Sequence, residues 1–170
     1  GAEIRHAGTA EEVAAAAKSM GVEALPVSTD VADRESVGAM VQAAFDRFGR
    51  IDILANNAGL NTLKRNLKDM DPSDWDRVIE INLTGAYNVF KAALPHLESQ
   101  GSGLVINISS MAGKHAGTVG GVAYSASKFG MAALNQSINA EFREVGIRST
   151  CIFPGEVDTP ILDMRPVAVS

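Results

Sequence analysis

With 170 residues, 46% of them hydrophobic and 21% charged, the chain can build one domain with a real core but not comfortably two. A formal net charge of −5 without any basic stretch argues against nucleic acid or an anionic membrane as partner. No apolar run approaches the ~18 residues of a membrane span, and no charged-then-apolar leader opens the sequence. Cys151 is the only cysteine, so an internal disulfide is excluded and a reducing, cytoplasmic setting is expected. His6, His96 and His115 are scattered without metal-ligand spacing, so no metal site is expected.

Thr9 with Glu12 forms a capping-box pattern and Gly21 a stop, which predicts a helix over roughly 10–20. "VEALPVS" (22–28) reads as a short strand. Val37, Met40, Val41, Ala44, Phe45 and Phe48 then recur at helical spacing up to Gly49. "IDILA" (51–55) has the continuous apolar character of a buried strand. Asp71, Pro72 and Asp74 start a helix over 72–98, whose apolar stripe runs from Trp75 to Leu97. "GLVINIS" (103–109) is a third strand, a helix over 122–145 follows, and "IRSTCIF" (147–153) is a fourth strand closed by Pro154 and Gly155. Strands alternating with long helices predict an α/β fold: one domain over 1–170, with a doubly wound parallel sheet of about four strands.

In such sheets ligands bind beyond the carboxyl ends of the strands, and the unusual polar residues cluster there. Asp30 follows the first strand, Asn56-Asn57-Ala58-Gly59 the second, Ser109-Ser110 the third, and Pro154-Gly155 through Thr159 the fourth. Tyr124 and Lys128 are four apart, hence on one helix face near the start of 122–145. An ammonium beside a phenol favours the phenolate, so Tyr124 could exchange a proton with an alcohol or carbonyl oxygen, and Ser110 could donate a hydrogen bond to that oxygen. Each feature alone also has a bland reading. The tyrosine and lysine could be a surface pair, Ser110 a strand-end serine, and Asn82 a satisfied core asparagine at a helix irregularity helped by Gly85.

Taken in order, "DVAD" (30–33), "NNAG" (56–59), "IEINLTG" (79–85), "INISSMAG" (106–113), "YSASK" (124–128) and "PGEVDT" (154–159) resemble the short-chain dehydrogenase/reductase family across nearly the whole chain. The resemblance implies a Rossmann-like fold and interconversion of a small alcohol and a carbonyl with NAD or NADP. It implies Tyr124 as acid/base, Ser110 orienting the substrate oxygen, and Lys128 both tuning the tyrosine and binding the nicotinamide ribose. Asn82 would hold a water in a relay to Lys128. Asp30 and Val31 would lie on the adenine side of the cofactor and Asn56, Asn57, Ala58 and Gly59 along its ribose. Val157 and Thr159, with Pro154 and Gly155 of the same turn, would receive the carboxamide. Met111, His115, Val119 and the segment from Pro160 onward would line the substrate pocket. Family members commonly pair through the helices at 72–98 and 122–145, so a homodimer or homotetramer is expected.

The family's glycine-rich G-x-x-x-G-x-G turn is absent, and Gly117, Gly120 and Gly121 do not replace it, because they do not join a strand to a helix start. By the family's pattern the first two strands and the last are missing, which leads to the expectation of a longer chain. It also leads to the expectation of a gap beside "IDILA", two strand spacings or about 10 Å wide. A non-catalytic fragment or assembly module, and lyase or epimerase chemistry on the same scaffold, stand as alternatives to the oxidoreductase.

Overall fold

Three short segments with one buried face pair as a parallel sheet in the order β1–β2–β3 in the computed structural model, which describes residues 9–155 and 157. The strands are β1 (Ile53–Asn56), β2 (Gly103–Ile108) and β3 (Ile147–Ile152). Ahead of them come α1 (Ala10–Ser19), closed by the reciprocal Thr9–Glu12 capping box, and α2 (Arg34–Phe48), capped by Asp33 and stopped at Gly49 with φ +73°. Between β1 and β2 lie α3 (Pro72–Ile79), a π-helical turn (Glu80–Thr84) and α4 (Gly85–Gln100). A 3₁₀ turn (Met111–Gly113) and α5 (Val122–Phe142) join β2 to β3.

The core sits between the sheet and the helices α2, α4 and α5. Val41, Phe90, Leu94, Leu97, Val105, Ile138 and Ile147 form one buried cluster, with Met40, Leu54, Leu134 and Phe142 packed against it. Leu97 and Ile147 are fully buried. On the opposite face of the sheet Leu104, Ile106 and Ile108 are only half-buried and Arg148, Thr150 and Ile152 are exposed. The register pairs Asn56 with Asn107 and Asn107 with Cys151, which aligns the three carboxyl ends.

Three expectations need correction. Residues 22–28 form no strand, so the described residues hold a sheet of three strands rather than about four; no described strand lies beside that segment to exchange backbone hydrogen bonds with it. The helix expected over 72–98 is broken by the π turn and continues to Gln100. The helix expected over 122–145 ends as an α-helix at Phe142 and finishes in a 3₁₀ turn, Arg143–Val145, stopped by Gly146 at φ +85°. Among the described residues no helix is long and apolar enough to cross a membrane, and no group of three His, Cys, Asp or Glu side chains could hold a metal ion.

Candidate active site

Lys128 is 4% exposed, an extreme value for a lysine, on the second turn of α5. Its ammonium donates to the carbonyl of Ile108, the last residue of β2, at 2.7 Å, and lies 5.5 Å from the centroid of the Tyr124 ring. Burial holds its pKa down, to about 8 from the usual 10.5. The four-residue spacing thus places the phenol and the ammonium together, with the tyrosine half-buried and the lysine beneath it.

The third party at this point is Gly59. A methyl group there would sit 3.4 Å from Asn82 Oδ1 and 3.5 Å from Lys128 Nζ, so the turn after β1, the π turn and α5 converge on one spot. Asn57, Ala58 and Gly59 are exposed, which leaves that convergence open to solvent.

Asn82 is fully buried and its amide is saturated by protein. Its Oδ1 accepts from Leu60 N–H at 2.8 Å, and its Nδ2 donates to Leu60 C=O at 2.9 Å and to Ser127 Oγ at 3.2 Å. Ser127 in turn donates to the carbonyl of Tyr124 at 2.7 Å. The π turn is what brings an amide of the apolar stripe inward, as such turns often do at functional positions.

Ser110 caps the 3₁₀ turn, its Oγ accepting from Ala112 N–H at 3.1 Å. Ser109 is the more buried of the two serines, and its hydroxyl donates to the carbonyl of Lys128 at 2.9 Å. Gly113 is pressed onto α5 so closely that a Cβ would lie 2.7 Å from Lys128 O. A Cβ on Gly120 would meet both Ala112 and the Tyr124 ring, at 3.1 and 3.6 Å, so the turn after Ser110 flanks the phenol. Met111 and His115 are exposed along this turn, as is Val119.

The remaining expected residues divide. Asn56 is buried and structural: its Nδ2 donates to Asn107 Oδ1 at 2.9 Å and to Ala86 O at 3.4 Å. Val31 packs against Gly85, where a Cβ would approach to 2.7 Å, and its carbonyl accepts from Asn88 Nδ2 at 3.0 Å. Asp30 is exposed and accepts from Ala32 N–H at 2.9 Å. Pro154 accepts from Met111 N–H at 2.9 Å, tying the end of β3 to the turn after β2. Gly155 and Val157 are exposed. Thr159 and the segment from Pro160 onward lie outside the described residues.

Sequence reasoning missed a polar layer under the site. Asn107, fully buried, donates to Ser149 Oγ at 3.0 Å and to Asn135 Oδ1 at 3.3 Å; Ser149 donates to the same Asn135 oxygen at 2.6 Å. Asn139 exchanges two hydrogen bonds with the Ser149 backbone, at 2.7 and 2.8 Å. With Asn56, this chain crosses all three strands and reaches α5. The available signal was an asparagine beside Val105 on the buried face of β2, and two asparagines four apart on α5.

The sequence profile of the short chain dehydrogenase family matches residues 3–166. A cis-4-hydroxycyclohexanecarboxylate dehydrogenase of Sinomonas cyclohexanicum is 41% identical over 160 residues, which cover 94% of this chain and 64% of that protein. A 3-oxoacyl-[acyl-carrier-protein] reductase of Staphylococcus aureus is 35% identical over 163 residues, again 94% of this chain and 65% of the relative. Among solved structures, a Thermococcus sibiricus alcohol dehydrogenase complexed with 5-hydroxy-NADP superposes with a TM-score of 0.80 at 29% identity, covering 88% of this chain and 62% of that one. An NAD+-bound xylitol dehydrogenase gives 0.82 at 34% identity, covering 85% and 55%. The chain therefore spans somewhat less than two-thirds of the length of these relatives. With the profile covering nearly all of its residues, the chain belongs to the short-chain dehydrogenase/reductase family.

Proposed function

We propose that the protein is an oxidoreductase that interconverts a small secondary alcohol and its carbonyl with NAD or NADP, Tyr124 handling the proton. The observation that carries this reading is the buried Lys128 ammonium, 5.5 Å from the Tyr124 ring and 3.5 Å from where a Cβ on Gly59 would stand, at the aligned carboxyl ends of the strands. A lysine is costly to bury and persists where its charge is used.

The residues fit a nicotinamide cofactor at this place. Gly59 keeps the space above Lys128 Nζ clear of a side chain, and the exposed Asn57–Gly59 turn gives a cofactor backbone to lie along. Lys128 would hold the ribose, with Asp30 and Val31 toward the adenine and Pro154, Gly155, Val157 and Thr159 toward the carboxamide. When bound, the cofactor supplies or accepts the hydride. The protein's own work is to hold the substrate oxygen between the Ser110 hydroxyl and the Tyr124 phenol, and to pass one proton at the phenolic oxygen. Met111 and His115 would line the substrate side. Asn82 serves first to hold Leu60 and Ser127 through its side chain, and from this turn it would hold the water of a relay to Lys128.

The substrate class follows the relatives whose names state one: hydroxylated rings and chains, with cis-4-hydroxycyclohexanecarboxylate as the probe to try first. Pairing of copies through α4 and α5, where Tyr87 and Phe129 are exposed, and a cytoplasmic setting for the lone Cys151 belong to the same reading. Calorimetric titration of the full chain with NAD+ and NADP+ tests it. Binding of one of them, reduced at least tenfold by Lys128→Ala, is the expected result; binding of neither would leave a non-catalytic assembly module in its place.

A further inference from the structure

Arg65 is 4% exposed, in the loop that follows β1, and the site as proposed does not use it. Its Nε donates to Thr62 O at 2.9 Å within its own loop, and its Nη1 donates to Val119 O at 3.0 Å, 54 residues away. Its own carbonyl accepts from the N–H of Val122, the first residue of α5, at 3.0 Å. Four positions earlier in the same strap, Asn61 Nδ2 donates to Gly120 O at 2.9 Å. Gly121, at φ +78°, lets the two segments touch: a Cβ there would lie 2.5 Å from the backbone oxygen of Arg65.

These contacts matter because of what α5 lacks. Its N-cap is Gly121, with no side-chain hydrogen bond to the first-turn amides. The orphan Val122 N–H is satisfied from outside, by Arg65, and Tyr124 sits two residues further on. The loop that supplies this cap is itself fixed at its root, where Asn82 grips both backbone groups of Leu60. We propose that Arg65 is a positioning residue: its buried guanidinium and carbonyl clamp residues 119–122, and so fix the first turn of α5 and the direction of the Tyr124 phenol. A guanidinium suits the task, since its rigid fork reaches a carbonyl on each side at once.

The inference rests on the proposed role of Tyr124, and the experiment separates the two. Arg65→Met, Arg65→Lys and Asn61→Ala are made in the full chain. Oxidation of a panel of secondary alcohols headed by cis-4-hydroxycyclohexanecarboxylate gives kcat and KM, NAD+ and NADP+ titrations give cofactor affinity, and amide exchange is followed at 122–125. For Arg65→Met the expected result is a kcat at least tenfold lower, with cofactor affinity within twofold of the parent and exchange at 122–125 at least tenfold faster. Arg65→Lys, keeping one charged donor for Val119 O, should recover part of that kcat. An Arg65→Met protein with parental kcat overturns the proposal, whatever its exchange does. If Arg65→Met does not fold, or if the parent oxidises none of the panel, Asn61→Ala decides by exchange: several-fold faster exchange at Val122 supports the clamp, and an unchanged rate overturns it. Turnover that survives Tyr124→Phe would instead sink the reading of the site itself.

Discussion

Lys128 carries its charge in a place that disfavours it, and this has a measurable consequence for stability. Its pKa is held at about 8 in the folded protein against 10.5 when exposed, chiefly by burial. Between those values the unfolded chain binds more protons than the native one, so unfolding free energy rises with pH across that window and is flat below it. The full difference corresponds to roughly 3 kcal/mol at about 1.4 kcal/mol per pH unit. Urea denaturation at pH 8 and pH 10 should therefore give a stability increment in the parent that is absent in Lys128→Met, with equal slopes in denaturant. An increment of the same size in both would mean that the ammonium is not desolvated. The spacing of Tyr124 and Lys128 was legible in the sequence because a four-residue step on a helix is geometry. The depth of Lys128 was not, since it depends on where Ile108 and Gly59 end up.

Among the elements, the most consequential arrangement is the polar layer across β1, β2, β3 and α5. The side-chain donors of Asn56, Asn107 and Ser149 are accounted for: Asn56 to Asn107, Asn107 to Ser149 and Asn135, Ser149 to Asn135. Removing the central amide strands partners on both sides, and a buried unsatisfied group costs about 1–3 kcal/mol. Asn107→Ala should thus lower stability by about 2–4 kcal/mol, read as a lower urea midpoint with an unchanged slope; a loss under about 1 kcal/mol would show that the network relaxes around the hole. Helices α1 and α2 and strands β2 and β3 could be read from caps, stops and apolar period. The irregularity at Asn82 was one of the open readings of the sequence and is what the fold holds, but its form as a π turn was not legible, because the Leu60 backbone that Asn82 binds is brought to it only in the folded chain. The strand expected at 22–28 failed for the complementary reason. Its composition suits a β conformation, but no described strand lies beside it to complete the pairing.

At the scale of the whole molecule, the sheet has one well-covered face and one that is half-open, with β1 paired along a single edge. Local opening should follow that asymmetry. Amide exchange is expected to be slowest at Val105 and Asn107 of the central strand and fastest, among the strand-like segments, at 22–28. Comparable protection in both would contradict the three-strand sheet. The family was legible over almost the entire length because its motifs fall at the strand ends, where chemistry constrains residue type.

The most direct measurement is the turnover of Tyr124→Phe in the full chain, with cofactor affinity determined on the same sample. Losing only the phenolic oxygen should reduce kcat by about 10²–10⁴-fold and leave nicotinamide binding within about twofold of the parent, as expected for a general acid or base. A variant that binds cofactor and turns over at the parental rate would contradict proton transfer by this residue.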